Sequence, residues 1–229
     1  MSVRILLLNF CAAWRARYWS SILVLGLSAC GSTQPVRHWH LSAESAPRPP
    51  VVSPAANAPA CQLRLLPLSV PDYLRRSELV IHPAPAQIAF AGTEFWISPF
   101  PDTLQAGLLS QWRLEPNASA RWRWADENDA SAADALRLQV TLETVNNLLD
   151  AQGAQTQWQV SWRWQRVNAQ QGDAPSQLPG RQPPGVAMTT AIQQRASGEP
   201  YAALVQATRQ ATRDLAQKIL ASLPFSTCR

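Results

Sequence analysis

The chain has 229 residues, enough for one domain with accessory segments. Charged residues make up 15% and hydrophobic residues 46%, which excludes a disordered polyelectrolyte, and no period marks a collagen or a coiled coil. The formal charge of +5 points to nucleic acid only until it is apportioned. Arg4, Arg15 and Arg17 lie in an acid-free leader, and without them 17 basic residues face 15 acidic ones. So small an excess argues against a nucleic-acid partner. Lys218 is the sole lysine. Such arginine bias suits carboxylate or phosphate binding, but a genome rich in G and C explains it more simply.

Residues 1–29 have the form of a signal peptide. Arg15 and Arg17 precede the apolar run Tyr18–Ala29. Twelve residues give about 18 Å of helix, against a hydrocarbon core of about 30 Å. The run stops at Leu27-Ser28-Ala29-Cys30-Gly31, which resembles a bacterial lipobox. Small residues fit a narrow peptidase site, and only the Cys30 thiol can take a diacylglyceryl thioether. The competing reading is an apolar segment followed by a chance cysteine. The apolar stretch Ile5–Phe10 lengthens the leader and is compatible with a start codon further downstream.

On the lipobox reading the mature protein begins at Cys30, acylated (palmitate-type) on sulfur and amine. At about 0.8 kcal/mol per buried CH₂, two chains hold durably where one does not. No cofactor is expected beyond this covalent lipid. Gly31 stands where an aspartate commonly retains lipoproteins at the inner membrane, so the resemblance implies the periplasmic face of the outer membrane. Cys11 leaves with the leader, and Cys61 and Cys228 remain. In an oxidising periplasm two thiols favour a disulfide over a metal site or a catalytic thiol; two unpaired cysteines at frayed ends are the alternative.

Residues 30–60 read as a lipidated, flexible spacer. Pro35, Pro47, Pro49, Pro50, Pro54 and Pro59 oppose helix and central strand and favour extended chain. One exception is His38-Trp39-His40-Leu41, compatible with an edge strand. Its two histidines would share a face, and with His82 the only other histidine a metal site lacks ligands.

The folded domain is expected over 61–229. Cys61–Pro67 alternates as a strand, and Pro71-Asp72-Tyr73 turns the chain. Leu79–Ile81 and Ile88–Phe90 read as short strands. Asp102 is the expected N-cap of a helix carrying Leu104, Leu108, Leu109 and Trp112 and ending near Pro116. Arg121-Trp122-Arg123-Trp124 alternates. So do Leu136, Leu138, Val140 and Leu142, and then Trp158, Val160, Trp162 and Trp164, the pattern of antiparallel strands buried on one side. A Gly/Pro/Gln-rich loop, Gln170–Gly185, leads to a strand at Val186–Thr189. Tyr201, Leu204, Val205, Thr208, Ala211, Leu215 and Ile219 mark a last helix of about five turns, with Pro200 at its start and Pro224 past its end. The expected fold is α+β: a mostly antiparallel sheet with two amphipathic helices on one face.

Familiar catalytic motifs are missing: no G-x-S-x-G, H-E-x-x-H, C-x-x-C, Walker loop or G-x-G-x-x-G occurs. Asp126-Glu127-Asn128-Asp129 resembles a calcium loop only loosely, and a solvated turn explains it. An enzyme is not expected, and an envelope hydrolase ranks last. Tryptophan is unusually frequent, 10 against Phe 5 and Tyr 3. The strand tryptophans suit carbohydrate or lipid stacking, but core packing under the helices is the commoner use. Arg121 and Arg123 would face solvent.

Arg64-Leu65-Leu66-Pro67-Leu68-Ser69-Val70-Pro71-Asp72-Tyr73-Leu74-Arg75-Arg76-Ser77-Glu78-Leu79-Val80 resembles the ABC-type transport auxiliary lipoproteins of the PqiC (YmbA) type. That family has a strand, a Pro-Asp-Tyr-Leu turn and an apolar strand here. Phe95-Trp96-Ile97-Ser98-Pro99-Phe100 resembles its Trp-x-x-Pro-Leu segment, and Tyr201–Val205 the start of its last helix. His38-Trp39-His40-Leu41 departs from the usual Tyr-Tyr-x-Leu, and the Gln170–Pro184 loop is long. The resemblance implies a non-catalytic auxiliary subunit, tethered to the outer membrane, that helps an MCE-domain transport complex move lipids or other hydrophobic molecules. A homo-oligomer is compatible with it. The alternative function is a pilotin or chaperone for outer-membrane assembly or secretion. Asp72, Tyr73, Arg75 and Arg76 combine an acid, an aromatic and two arginines at one turn, the composition of a partner-binding anchor. The plainer reading is that Pro71 and Asp72 shape the turn while Tyr73 covers the core edge.

Overall fold

The computed structural model describes residues 35–42, 61–114, 122–125, 135–166 and 187–223. The leader, Cys30, Cys228, the 126–129 acidic cluster and the Gln170–Gly185 loop lie outside them. The elements are β1 (Arg37–Trp39), β2 (Cys61–Leu65), a 3-10 turn (Asp72–Leu74), β3 (Glu78–Ile81), β4 (Ala89–Trp96), α1 (Phe100–Leu114), β5 (Trp122–Trp124), β6 (Leu136–Asp150), β7 (Gly153–Arg166), β8 (Ala187–Ser197) and α2 (Pro200–Ala221). The fold is α+β as expected, with its strands divided between two sheets. One has the order β1-β4-β3, the other β5-β2-β6-β7-β8. The long pairs β6–β7 and β7–β8 are antiparallel, whereas β2 runs parallel to β5 and β6, and β1 parallel to β4.

The β6–β7 hairpin is the frame. Leu136, Leu138, Val140 and Leu142 point inward, opposite Trp158, Val160, Trp162 and Trp164. The register slips between Leu142 and Thr144, so the inward set becomes Val145 and Asn147. One extra residue in β6 shifts the phase without moving the buried face, as a β-bulge does. The strand therefore runs well past the alternation that marks it in the sequence. At the hairpin tip Gly153 has φ +143°, and a Cβ there would meet the Ala196 carbonyl oxygen at 2.1 Å, so only glycine fits.

The tryptophans are mainly core. Trp96, Trp112, Trp122, Trp158, Trp162 and Trp164 are all buried. The Trp162 and Trp164 indoles both donate to Ser222 Oγ at the end of α2, at 2.9 and 3.2 Å, and Trp112 donates to the Ala216 carbonyl at 3.1 Å. These bonds remove the polar penalty of burying indole N–H groups and seat α2 on the sheet. Helices α1 and α2 approach closely at Gly107, where a Cβ would lie 3.0 Å from Leu41 Cβ and 3.3 Å from Thr212 Cγ2. A mid-helix glycine costs about 1 kcal/mol relative to alanine, and the close approach explains its place.

Several boundaries move. Helix α1 begins at Phe100 rather than being capped by Asp102. The Asp102 and Thr103 amides both donate to the Pro99 carbonyl at 3.0 Å, which leaves Asp102 as an exposed acid in the first turn. Strand β4 continues to Trp96 and β8 to Ser197. Within the stretch read as spacer, residues 37–39 form β1 and Leu41 enters the core at 1% exposure. The compact unit accordingly begins at Val36, and 43–60 connects two of its strands.

A buried polar chain joins the two sheets. Asn147 Nδ2 donates to the Val80 carbonyl at 2.8 Å, Thr156 Oγ1 donates to Asn147 Oδ1 at 2.6 Å, and Trp158 Nε1 donates to Thr156 Oγ1 at 2.7 Å. Asn147→Ala should cost about 2–4 kcal/mol in urea unfolding, because it orphans a buried carbonyl and a buried hydroxyl together. A loss below about 0.5 kcal/mol would show that the chain does not join the sheets.

Candidate functional site

The predicted partner-binding turn lies where the chain leaves β2 and enters β3. Its residues divide by direction. Leu74 is buried at 2%, and Tyr73 is half-buried, its ring edge-on to His82 at 6.3 Å. The Tyr73 hydroxyl lies 3.3 Å from both the carbonyl and the amide of Val145, donating to one and accepting from the other. Those backbone groups follow the β6 bulge, so Tyr73 satisfies a sheet edge. Asp72, Arg75 and Arg76 are exposed.

The exposed residues form two ion pairs. Arg75 Nε lies 3.2 Å from Asp72 Oδ1, and Arg76 Nη2 lies 2.6 Å from Glu78 Oε1. The Arg76 guanidinium also covers the Phe90 ring at 4.4 Å, with Phe90 itself exposed. Hydrogen bonding from Arg76 holds the Glu78 carboxyl below its ordinary range, and the same bond holds Arg76 above its own. Exposed pairs of this kind contribute little to stability, so a partner can exchange them for its own groups at small cost. The surface offered is an acid, two arginines and an aromatic face, with Phe90 in the aromatic place expected of Tyr73.

Sequence reasoning missed the other charged cluster. Glu94, only 3% exposed, accepts from Arg37 Nε and from Trp39 Nε1, each at 2.7 Å. Arg37 reaches on to Glu199 at 3.1 Å, and Glu199 caps α2 by accepting the Ala202 amide at 2.8 Å. The Glu94 bond first, then the Glu199 bond, raises Arg37 above its ordinary value. Burial alone would raise Glu199, but the Ala202 amide and Arg37 hold it below the usual carboxylate range. A lone acid inside Ala89–Trp96 was the available signal. The cluster clasps β1 to β4 and α2.

The cavity lined by Leu74, Val80, Trp96, Phe100, Val145, Asn147, Trp158 and Thr208 has a volume of about 10 Å³, room for at most one water. It belongs to the core. Cys61 is half-buried at the start of β2 and disulfide-bonded.

Two sheets and two helices, with charge displayed on a turn and indoles turned inward, define an α+β domain. Two crystal structures share this fold. An uncharacterised protein aligns with a TM-score of 0.57 at 16% identity, covering 81% of this chain and 97% of its own. A Xanthomonas campestris protein aligns with a TM-score of 0.55 at 12% identity, covering 83% and 96%. No curated protein matches the chain. The profile of the ABC-type transport auxiliary lipoprotein component matches residues 44–220. The chain belongs to that family and is an auxiliary component of ABC-type transport. No helix among the described residues is long and apolar enough to cross a membrane.

His82 carries a pH dependence. Burial holds it below its ordinary value of 6.5, and its Nδ1 accepts the Asn147 amide at 3.0 Å, a role open only to the neutral ring. Below about 6.5 the unfolded chain binds the proton more readily, so this contribution is complete above that pH and is lost as pH falls through the folded value. The melting temperature should drop on acidification from about pH 7 to 5.5, and His82→Gln should flatten that drop. Identical slopes for the two proteins would remove His82 as the cause.

Proposed function

We propose that the protein is a lipid-anchored, non-catalytic subunit of an MCE-type system moving lipids or other hydrophobic molecules, held at the periplasmic face of the outer membrane. The observation that carries this reading is the family match over 44–220 behind a leader ending in Leu27-Ser28-Ala29-Cys30-Gly31. The absence of aspartate after Cys30 supports the outer membrane. The exposed Asp72, Arg75, Arg76 and Phe90 support a protein partner bound through the turn.

Affinity purification from detergent-solubilised envelope tests the reading. An MCE-domain protein should co-purify with the unaltered chain, and its absence would refute the assignment. Arg75→Ala with Arg76→Ala should lower recovery of that partner without changing the melting temperature. Tyr73→Phe should cost about 1 kcal/mol of stability and retain the partner, since the hydroxyl serves β6. The opposite pattern would return the turn to a structural role.

We also propose Cys228 as the disulfide partner of Cys61, since the other two cysteines fall in the leader and at the lipidation site. Mass spectrometry of non-reduced protein should find the two peptides joined. Closing so long a loop would contribute about 4–5 kcal/mol in the chain-entropy model. Two free thiols would overturn the pairing.

A further inference from the structure

The tether between lipid and domain is short. The compact unit begins at Val36, six residues after Cys30. Fully extended, those residues span about 22 Å at 3.6 Å each. A unit of this size has a radius of gyration of about 16 Å, so the tether is shorter than the domain is wide. Val36 therefore stays within about 22 Å of a lipid surface that holds Cys30.

That end carries an apolar face. Val36 is 58% exposed and Ile97 69%. His38 is exposed and pairs in register with half-buried Phe95, their ring centroids 5.8 Å apart. Strand alternation puts Ile97 on the Phe95 side, while Glu94 and Trp96 point into the protein. The Ile97 amide donates to the Trp39 carbonyl at 2.8 Å, which fixes Ile97 at the end of β1. Neighbouring charges are satisfied: Arg37 turns to Glu94 and Glu199, and Glu78, opposite Phe95, is paired with Arg76.

We propose that the outer face of the β1–β4 edge, built on Val36, His38, Phe95 and Ile97, docks on the lipid surface that holds Cys30. The proposal rests on the lipoprotein reading. Apolar side chains with an imidazole and a ring among them suit the boundary between headgroups and acyl chains, and a short tether removes most of the entropic cost of bringing them there.

The test uses the full, lipidated chain in vesicles of phosphatidylethanolamine and phosphatidylglycerol. An environment-sensitive dye is placed on Ile97→Cys or, as the comparison, on Gln193→Cys, exposed on β8 at the far edge of the other sheet. Docking predicts that emission from position 97 shifts to the blue and is quenched by brominated acyl chains, while position 193 shows neither effect. Water-like emission at both positions, in protein that floats with the vesicles and carries acyl mass on Cys30, overturns the docking and leaves the anchor standing. That outcome would free the face for a protein partner. Protein with no acyl mass on Cys30 and no flotation overturns the anchor, and the docking with it.

Discussion

The outer edge of β6 is the constraint on which the rest of the domain depends. Fourteen of its fifteen residues pair with β7 on one side, and unpaired backbone groups along the other would be costly to bury. The chain answers this edge in sequence order. β2 pairs with Leu136–Leu138, and the Leu66 amide donates to the Leu138 carbonyl. Ser69 then exchanges bonds with Val140 and Leu142. Tyr73 serves Val145 through its hydroxyl, and His82 brackets Asn147 with its amide and ring nitrogen. The turn is thus the place where a backbone edge gives way to a side-chain edge. Its inward residues, Tyr73 and Leu74, are committed to the sheet and the core, and Asp72, Arg75 and Arg76 stay exposed.

Much of this was legible in the residues, and the losses have physical causes. Alternation located the first half of β6 and most of β7, and helical spacing located both helices, because each buries one apolar face. The second half of β6 was hidden because the bulge changes the phase and because Asn147, a polar residue, occupies an inward position. β8 was cut short because Ile192 and Ala196 alone mark its inward side beyond Thr189. The split into two sheets has no local signature, since Asn147 and His82 form it through groups distant in sequence. The turn's charged and aromatic composition is plain in the sequence, but the direction of each side chain was not readable. Tyr73 was the expected anchor, and the exposed ring turned out to be Phe90, one strand away.

Glu94 shows why a single acid in an apolar run deserves a physical question. A carboxylate at 3% exposure persists only with strong donors, and Arg37 and Trp39 supply them from β1. Removing Arg37 would leave that buried charge with the Trp39 indole but no countercharge, so β1 is held more firmly than three residues of parallel pairing would suggest. The same guanidinium reaches the capping carboxylate of α2. A short strand inside a proline-rich stretch thereby becomes an integral part of the domain.

The clasp changes what the tether can do. A flexible linker of about 30 residues would let a domain search some 30 Å around its anchor, the behaviour of a mobile tethered module. On the proposed anchoring at Cys30, fixing β1 through Glu94 would leave only the residues between Cys30 and Val36 for that purpose, and the search volume would collapse. The subunit would then be a surface fixture with a defined near side and far side. The proposed partner would have to come to it, and orientation imposed by the anchor would lower the rotational entropy lost on docking. An auxiliary subunit that acts through the proposed turn would gain most from this arrangement, because the turn would face a constant direction.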